Sequence, residues 1–229
     1  MSRKQKHQHP DIFDSEAPSP RKKLSPLMPQ TERQSQLLNC LVNKQLTFAV
    51  GPAGTGKTYI ATRFACELLE DKEIEKIIIT RPMVSAEDDI GFLPGKVEDK
   101  FAPYFAPIRE IMNDHLGASH VQNLLKLGRV EIAPVGFLRG HTFKNCFVLF
   151  DEAQNTSPGQ MKLFLTRIGE GATICVDGDL AQVDIDGPSG LHDAVSRFGR
   201  LEEVGLVRFR NEDIVRSGLA RKIVEGYSK

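Results

Sequence analysis

Eight consecutive residues, Gly51-Pro52-Ala53-Gly54-Thr55-Gly56-Lys57-Thr58, carry the clearest chemical signal in the sequence. Their glycines allow the backbone to wrap a phosphate group with its N–H groups turned inward, where side chains would clash. Lys57 can reach the β- and γ-phosphates of a nucleotide, and the Thr58 hydroxyl can bind Mg²⁺. An apolar run precedes these residues and a helical pattern follows them, so we interpret them as the phosphate loop of a nucleotide-hydrolysing domain.

Two adjacent acids supply the carboxylates for metal binding and water activation that a phosphate loop lacks. Asp151 and Glu152 directly follow the apolar run Cys146–Phe150. Asp151 would bind Mg²⁺, often through water, and Glu152 would orient or deprotonate the attacking water. Acids at a strand end can also cap a helix. Their position downstream of a phosphate loop favours the catalytic interpretation.

Weaker candidates follow two further strands. Asp179 and Gln182, after the apolar run 172–176, could sense the γ-phosphate, although a Gly-Asp pair alone is an ordinary turn. Arg81 would lie at the carboxyl end of a strand that Pro82 terminates. Surface arginines are common, but one near the C-terminus could stabilise transition-state charge, the candidates being Arg208, Arg210 and Arg216.

The elements that position these residues follow from hydrophobic periodicity. Continuous apolar runs predict buried parallel strands, and four-residue spacing predicts helices that pack on them. We therefore expect an α/β fold with a mostly parallel sheet and helices on both faces. Strands are expected at 46–50, 77–81, 129–133, 146–150, 172–176 and, singly or as a pair, 201–209. Helices are expected at 32–43, after the phosphate loop, at 108–116 and 121–127, from Ser157 to Gly169, and from Asn211 to about Tyr227.

The chain divides into a tail and one domain. Residues 1–30 are rich in proline and polar residues and carry net charge +3, which predicts a flexible tail that either attracts RNA or DNA or only aids solubility. Residues 31–229 form the domain, with an insertion at 83–110. Its aromatic residues could stack on bases, form a subunit contact or pack on their own domain, and they are Phe101, Tyr104 and Phe105.

Composition excludes several classes of protein. Lysine plus arginine equals aspartate plus glutamate at 30 each, so overall charge does not indicate a nucleic-acid binder. The sequence has no apolar run of about 18 residues and no apolar stretch behind its charged N-terminus, so we expect neither a membrane span nor a secretory signal. Its four cysteines are far apart, which predicts reduced thiols in a cytoplasmic protein, and no zinc spacing is present.

Gln34 or Gln36 could contact an adenine edge, but glutamines on a helix usually face solvent.

Several longer motifs together resemble the PhoH family over about residues 31–228. They are GPAGTGKT, IIITRP, GFLPG, KFAPYFAPI, RGHTF, LFDEAQN, MKLFLTRIG, DGDLAQVD and VRFRNEDIVRSGL. The resemblance implies a RecA-like P-loop NTPase that uses ATP and is similar to the core of superfamily 1 helicases. By that analogy Gln182 contacts the γ-phosphate and Arg216 resembles the late helicase arginine. Arg81 and residues 139–143 would then face nucleic acid or a neighbouring subunit.

The resemblance also sets expectations about assembly. Superfamily 1 helicases use two such domains, whereas this chain has room for one and shows no added nuclease or RNA-binding domain. A single domain more easily completes its site with a neighbour's arginine, so we expect a homo-oligomer, with a hexamer favoured. The leading functional hypothesis is Mg²⁺-dependent ATP hydrolysis coupled to single-stranded RNA or DNA. The alternative is a slow nucleotide-dependent switch or scaffold that acts on a protein partner. A small-molecule kinase fits less well, because Glu152 would activate water.

Overall fold

The computed structural model describes residues 26–83 and 102–215 of the 229-residue chain, and within them six parallel strands form one sheet. The strands are β1 Leu46–Val50, β2 Lys76–Arg81, β3 Val130–Pro134, β4 Cys146–Phe150, β5 Thr173–Gly178 and β6 Val204–Arg208. Their order across the sheet is β3-β2-β4-β5-β1-β6. Because β5 lies between β1 and β4, the segments that leave these three strands meet at one edge of the sheet.

Helices cover both faces of this sheet. They are α1 Glu32–Asn43, α2 Lys57–Glu70, α3 Ala106–Leu116, α4 Ala118–Lys126, α5 Pro158–Leu165 and α6 Gly190–Phe198. Side chains alternate along β2, so that Ile77 and Ile79 join the core cluster under α2 and α3, whereas Ile78 joins the cluster under α5 and α6. The expected α/β fold, with a parallel sheet covered on both faces, is confirmed.

Two helix predictions differ from the structure, and one helix was not predicted. α5 ends at Leu165 rather than Gly169, because Ile168 already pairs with Phe143 in a parallel bridge. α6 was not predicted. The sequence does contain its Ser189 cap and its apolar residues Leu191, Ala194 and Val195, which are buried in the structure. Instead of an α-helix from Asn211, residues Asn211–Asp213 form one 3-10 turn and Ile214 is extended. Residues 216–227 of the predicted helix lie outside the described residues.

Packed structure is present within both the predicted tail and the predicted insertion. Leu27 is buried and its backbone N–H donates to Glu67 Oε1 at 3.0 Å, so the packed chain already includes this residue ahead of position 31. Residues 1–25 of the predicted tail at 1–30 lie outside the described residues. Of the predicted insertion at 83–110, the structure describes residue 83 and residues 102–110, where a 3-10 turn leads into α3. Phe105 is buried in its own domain, whereas Tyr104 is 47% exposed and Phe101 lies outside the described residues.

The cysteines are free thiols, in agreement with the sequence interpretation, and Cys66, Cys146 and Cys175 are buried. Burial raises the pKa of Cys66 to about 12 and that of Cys146 to about 11, so both thiols are protonated at neutral pH. Across the two described ranges, no helix has the length and apolar character needed to cross a membrane.

Candidate functional site

The phosphate loop connects β1 to α2, with Lys57 as the first residue of the helix. Three of its glycines have left-handed or neighbouring backbone angles, with φ 139° at Gly51, 80° at Gly54 and 85° at Gly56. A Cβ atom added to Gly51 would lie 2.4 Å from the carbonyl oxygen of Phe209. The loop therefore needs glycine both for its conformation and for its contact with the chain after β6.

The Gln34 side chain, on α1, hydrogen-bonds to the phosphate loop. It is 3% exposed, and its Nε2 donates to the Thr55 carbonyl at 3.0 Å while its Oε1 accepts from the Gln30 N–H at 2.8 Å. A Cβ atom on Gly56 would lie 2.6 Å from Gln34 Nε2. The preferred interpretation of Gln34 as a solvent-facing residue was wrong, because contact with the distant loop buries this position of the helix.

The Lys57 side chain lies within the loop. It is 8% exposed, and its Nζ donates to the carbonyl oxygens of Gly51 at 2.8 Å and Pro52 at 2.9 Å. Both partners belong to the loop itself, so the ammonium group is held against the surface that the loop glycines shape. This position, at the N-terminus of a 14-residue helix, favours an anion.

Two carboxylates meet the Thr58 hydroxyl at the ends of β4 and β5. Thr58 Oγ1 donates to Asp177 Oδ2 at 2.9 Å and lies 3.4 Å from Asp151 Oδ1. Asp177 is 1% exposed, and burial and the neighbouring Asp151 raise its pKa well above the ordinary value, while Lys57 and the Thr58 hydrogen bond act in the opposite direction. Sequence reasoning missed Asp177. An acid within an otherwise apolar strand was the available signal, since a buried carboxyl group needs partners.

These three oxygen-bearing side chains fit a magnesium ion. Mg²⁺ prefers hard oxygen ligands and is usually held by one or two carboxylates, with waters and phosphate oxygens completing its coordination. Thr58 and Asp151 can supply such ligands, and Asp177 lies next to both. The described ranges contain no group of three or more histidine, cysteine or acidic residues that could hold a metal ion, so this site offers two carboxylates and one hydroxyl.

Glu152 is held by two protein donors. It has a left-handed backbone conformation, with φ 54°, and its side chain is 41% exposed. Arg81 Nη2 donates to its Oε1 at 3.0 Å, and Gln154 Nε2 donates to its Oε2 at 2.5 Å. The Gln154 Oε1 atom in turn accepts from the Asp179 N–H at 3.1 Å, which connects the acids after β4 to the segment after β5.

The predicted residues after β5 also lie at the site. Asp179 Oδ1 accepts from the Ala181 N–H at 3.0 Å, and the Gln182 N–H donates to the Asp179 carbonyl at 3.1 Å. Both residues line a cavity of about 250 Å³. Its lining consists of Ala53, Gly54, Gly56, Lys57, Thr58, Tyr59, Asp151, Glu152, Asp177, Gly178, Asp179 and Gln182.

Among the arginine candidates, Arg208 and Arg210 do not line this cavity. Arg208 is exposed at the end of β6, and Arg210 pairs with Glu212 at 3.6 Å on the surface. Arg216 lies outside the described residues, but the N–H of Val215 donates to the Gly54 carbonyl at 3.0 Å. Within residues 139–143, Phe143 is part of the core and Arg139 is exposed.

Curated relatives match most of this chain. Protein PhoH of Escherichia coli K12 is 48% identical over 208 residues, which are 89% of this chain and 59% of that protein. A PhoH-like protein of Bacillus subtilis is 41% identical over 202 residues, which are 87% of this chain and 63% of that protein. The chain therefore spans about three fifths of the length of these two relatives.

Similarity to solved structures concerns the fold. The large terminase from a thermophilic bacteriophage, in complex with ATP-gamma-S, aligns with a TM-score of 0.52 at 10% identity. The alignment covers 85% of this chain and 48% of that one. The family model described as PhoH-like protein matches residues 26–228. The chain belongs to the PhoH family, and its fold is that of a RecA-like P-loop NTPase.

Proposed function

We propose that the protein hydrolyses ATP with Mg²⁺ and that single-stranded RNA or DNA stimulates this hydrolysis. The observation that carries the proposal is the convergence of Lys57, Thr58, Asp151 and Glu152 on one cavity. These residues come from the loop after β1 and from the end of β4, and their types match the groups needed for phosphate binding, metal binding and water activation.

Each residue has a distinct role in the proposed reaction. The loop N–H groups and Lys57 bind the β- and γ-phosphates, and Thr58 and Asp151 hold Mg²⁺, which would neutralise phosphate charge when bound. Glu152 accepts a proton from the attacking water as the water oxygen bonds to the γ-phosphorus. The bond from that phosphorus to the oxygen bridging to the β-phosphate breaks, which gives ADP and inorganic phosphate.

Two further residues complete this proposal. Gln182 lines the cavity and would orient the water or contact the γ-phosphate. Arg216 would stabilise transition-state charge, within one subunit or across a homo-oligomer, with a hexamer favoured. The hydrogen bond between Val215 and Gly54 supports this role of Arg216, because Val215, the residue before it, contacts the phosphate loop.

Coupling to nucleic acid is supported by exposed groups and by the family. Tyr104 and Phe137 are 47% and 60% exposed, and such rings can stack on unpaired bases. Arg139 is exposed directly after the turn that carries Phe137, where it could contact phosphate.

The free thiols support a reducing, cytoplasmic compartment.

The test is phosphate release from ATP by the wild type and Glu152→Gln, with and without single-stranded RNA, on size-fractionated protein. We expect RNA to stimulate the wild type, and we expect Glu152→Gln to lower kcat by about 10²–10⁴-fold, since it removes the general base. ATP binding, measured by equilibrium dialysis, should persist in this variant. Glu170→Gln, at an exposed position, is the matched control.

Two results would contradict the proposal. Full activity in Glu152→Gln would remove Glu152 from the reaction. Equal slow rates with and without RNA would remove the nucleic-acid coupling and favour the nucleotide-dependent switch, which would bind a protein partner. The size fraction that carries the activity reports the working assembly.

A further inference from the structure

Arg81 connects the Glu152 site to a separate part of the chain. It lies at the carboxyl end of β2. Its Nη2 donates to Glu152 Oε1 at 3.0 Å, its Nε lies 3.6 Å from Asp151 Oδ2, and its Nη1 donates to the Tyr104 carbonyl at 2.9 Å. One guanidinium group therefore joins both acids after β4 to the turn that precedes α3.

This contact restrains the proposed general base. One Glu152 oxygen accepts from Arg81 and the other from Gln154, whose own position is set by the Asp179 N–H. Gln154 is 1% exposed, so its side chain has little room to move. Arg81 is a quarter exposed and is the partner that another group can reach. Glu152 can turn toward a water molecule more readily once Arg81 has left.

The surroundings of Arg81 indicate what could draw it away. A guanidinium group pairs well with phosphate oxygens, which form two parallel hydrogen bonds with it. Tyr104, whose carbonyl Arg81 contacts, exposes 47% of its surface and can stack on a base. Arg81 is therefore in direct contact with a residue that carries an exposed aromatic ring.

We propose that Arg81 is a positioning residue that holds Glu152 in a restrained arrangement, and that a phosphate of single-stranded nucleic acid releases Glu152 by taking Arg81 as its partner. This inference rests on the proposed ATP hydrolysis at Glu152. It explains how nucleic acid could accelerate the reaction without entering the phosphate cavity. It also gives Arg81 a role in which its loss increases activity.

The experiment compares the wild type with Arg81→Ala and Arg81→Lys in ATP hydrolysis, with and without a single-stranded RNA oligonucleotide. We expect Arg81→Ala to raise the RNA-free kcat by about two- to tenfold, the range that a partly exposed charged hydrogen bond provides. KM for ATP should stay within about twofold. RNA stimulation should fall by about the same factor as the RNA-free rate rises. Arg81→Lys should also raise the RNA-free rate, since one ammonium group cannot reproduce the forked contacts.

Arg197→Ala is the matched control, because it removes an exposed arginine whose partner is Asp193 on α6. Thermal unfolding of each variant reports damage to the fold, and Arg81→Lys carries the test where Arg81→Ala does not fold. A merely structural role would lower kcat together with the unfolding temperature. An RNA-free kcat that falls or stays unchanged in folded Arg81 variants would overturn the proposal.

The experiment separates this inference from the proposed function. No RNA stimulation of the wild type, together with a raised RNA-free rate in Arg81→Ala, would overturn nucleic acid as the competitor and the coupling part of the proposed function, and would leave ATP hydrolysis at Glu152 intact. Activity that survives Glu152→Gln would overturn both, because Arg81 would then restrain a residue that has no part in the reaction.

Discussion

The two sides of the cavity are built in different ways. On one side, eight consecutive residues form the phosphate loop, and Lys57 bonds to carbonyl groups of that same loop. On the other side, Glu152 is held by side chains from β2 and from the turn after β4. A loop held by backbone carbonyl groups and by the buried Gln34 side chain can keep a constant shape, whereas a partly exposed partner such as Arg81 can be exchanged. Under the proposed function, this difference would place ATP binding on the first side and control of the rate on the second.

The largest effect expected on the loop side is the loss of Lys57. Lys57→Ala should lower kcat/KM for ATP by about 10²–10³-fold, because a preorganised positive charge on the phosphates is removed. In contrast to Glu152→Gln, it should also weaken ATP binding in equilibrium dialysis. Lys162→Ala, at an exposed position of α5, is the control. ATP binding that is as strong in Lys57→Ala as in Glu152→Gln would refute the division between the two sides.

A smaller effect is expected where Gln34 supports the loop. Gln34→Ala leaves the Thr55 carbonyl and the Gln30 N–H without their present partners, which should lower the free energy of unfolding by about 1–3 kcal/mol. Urea denaturation measures this change. Gln36→Ala, on the same helix, loses only surface contacts with Arg33 and Glu32 and should cost about 0.5 kcal/mol or less. Equal effects of the two substitutions would show that the loop does not depend on Gln34.

The last expected effect depends on pH and concerns Asp177. Because its pKa is raised in the folded protein, the folded state binds the Asp177 proton more tightly than the unfolded chain does. Its contribution to stability is therefore present below the ordinary aspartate pKa of about 3.9 and is lost as pH rises through the raised folded-state pKa. Asp177→Asn lacks this titration and keeps polar atoms for Thr58 and Asp151.

The free energy of unfolding of Asp177→Asn should consequently increase relative to the wild type as pH rises through this window, and the difference should then level off. Denaturation at a series of pH values, without magnesium and with a chelator, measures it. Asp186→Asn, at an exposed acid, is the control. A difference that decreases with rising pH would contradict the direction of the Asp177 pKa shift.

The sequence by itself determined the fold class, the phosphate loop and the two acids after β4. Each of these is a local pattern, since β1 and β4 are continuous apolar runs and the loop glycines serve backbone conformations that few other residues adopt. The same local pattern could have revealed α6, whose cap and buried positions are present in the sequence.

Only the tertiary structure decided the partners of these residues. It buries Gln34 under a loop that is distant in sequence, places Asp177 beside Asp151, and joins Arg81 to Glu152 and Tyr104. The order β2-β4-β5-β1 brings the ends of separate strands to one edge, and no local pattern contains that order. Which donor holds Glu152, and so what could release it, depends on contacts between segments far apart in the chain.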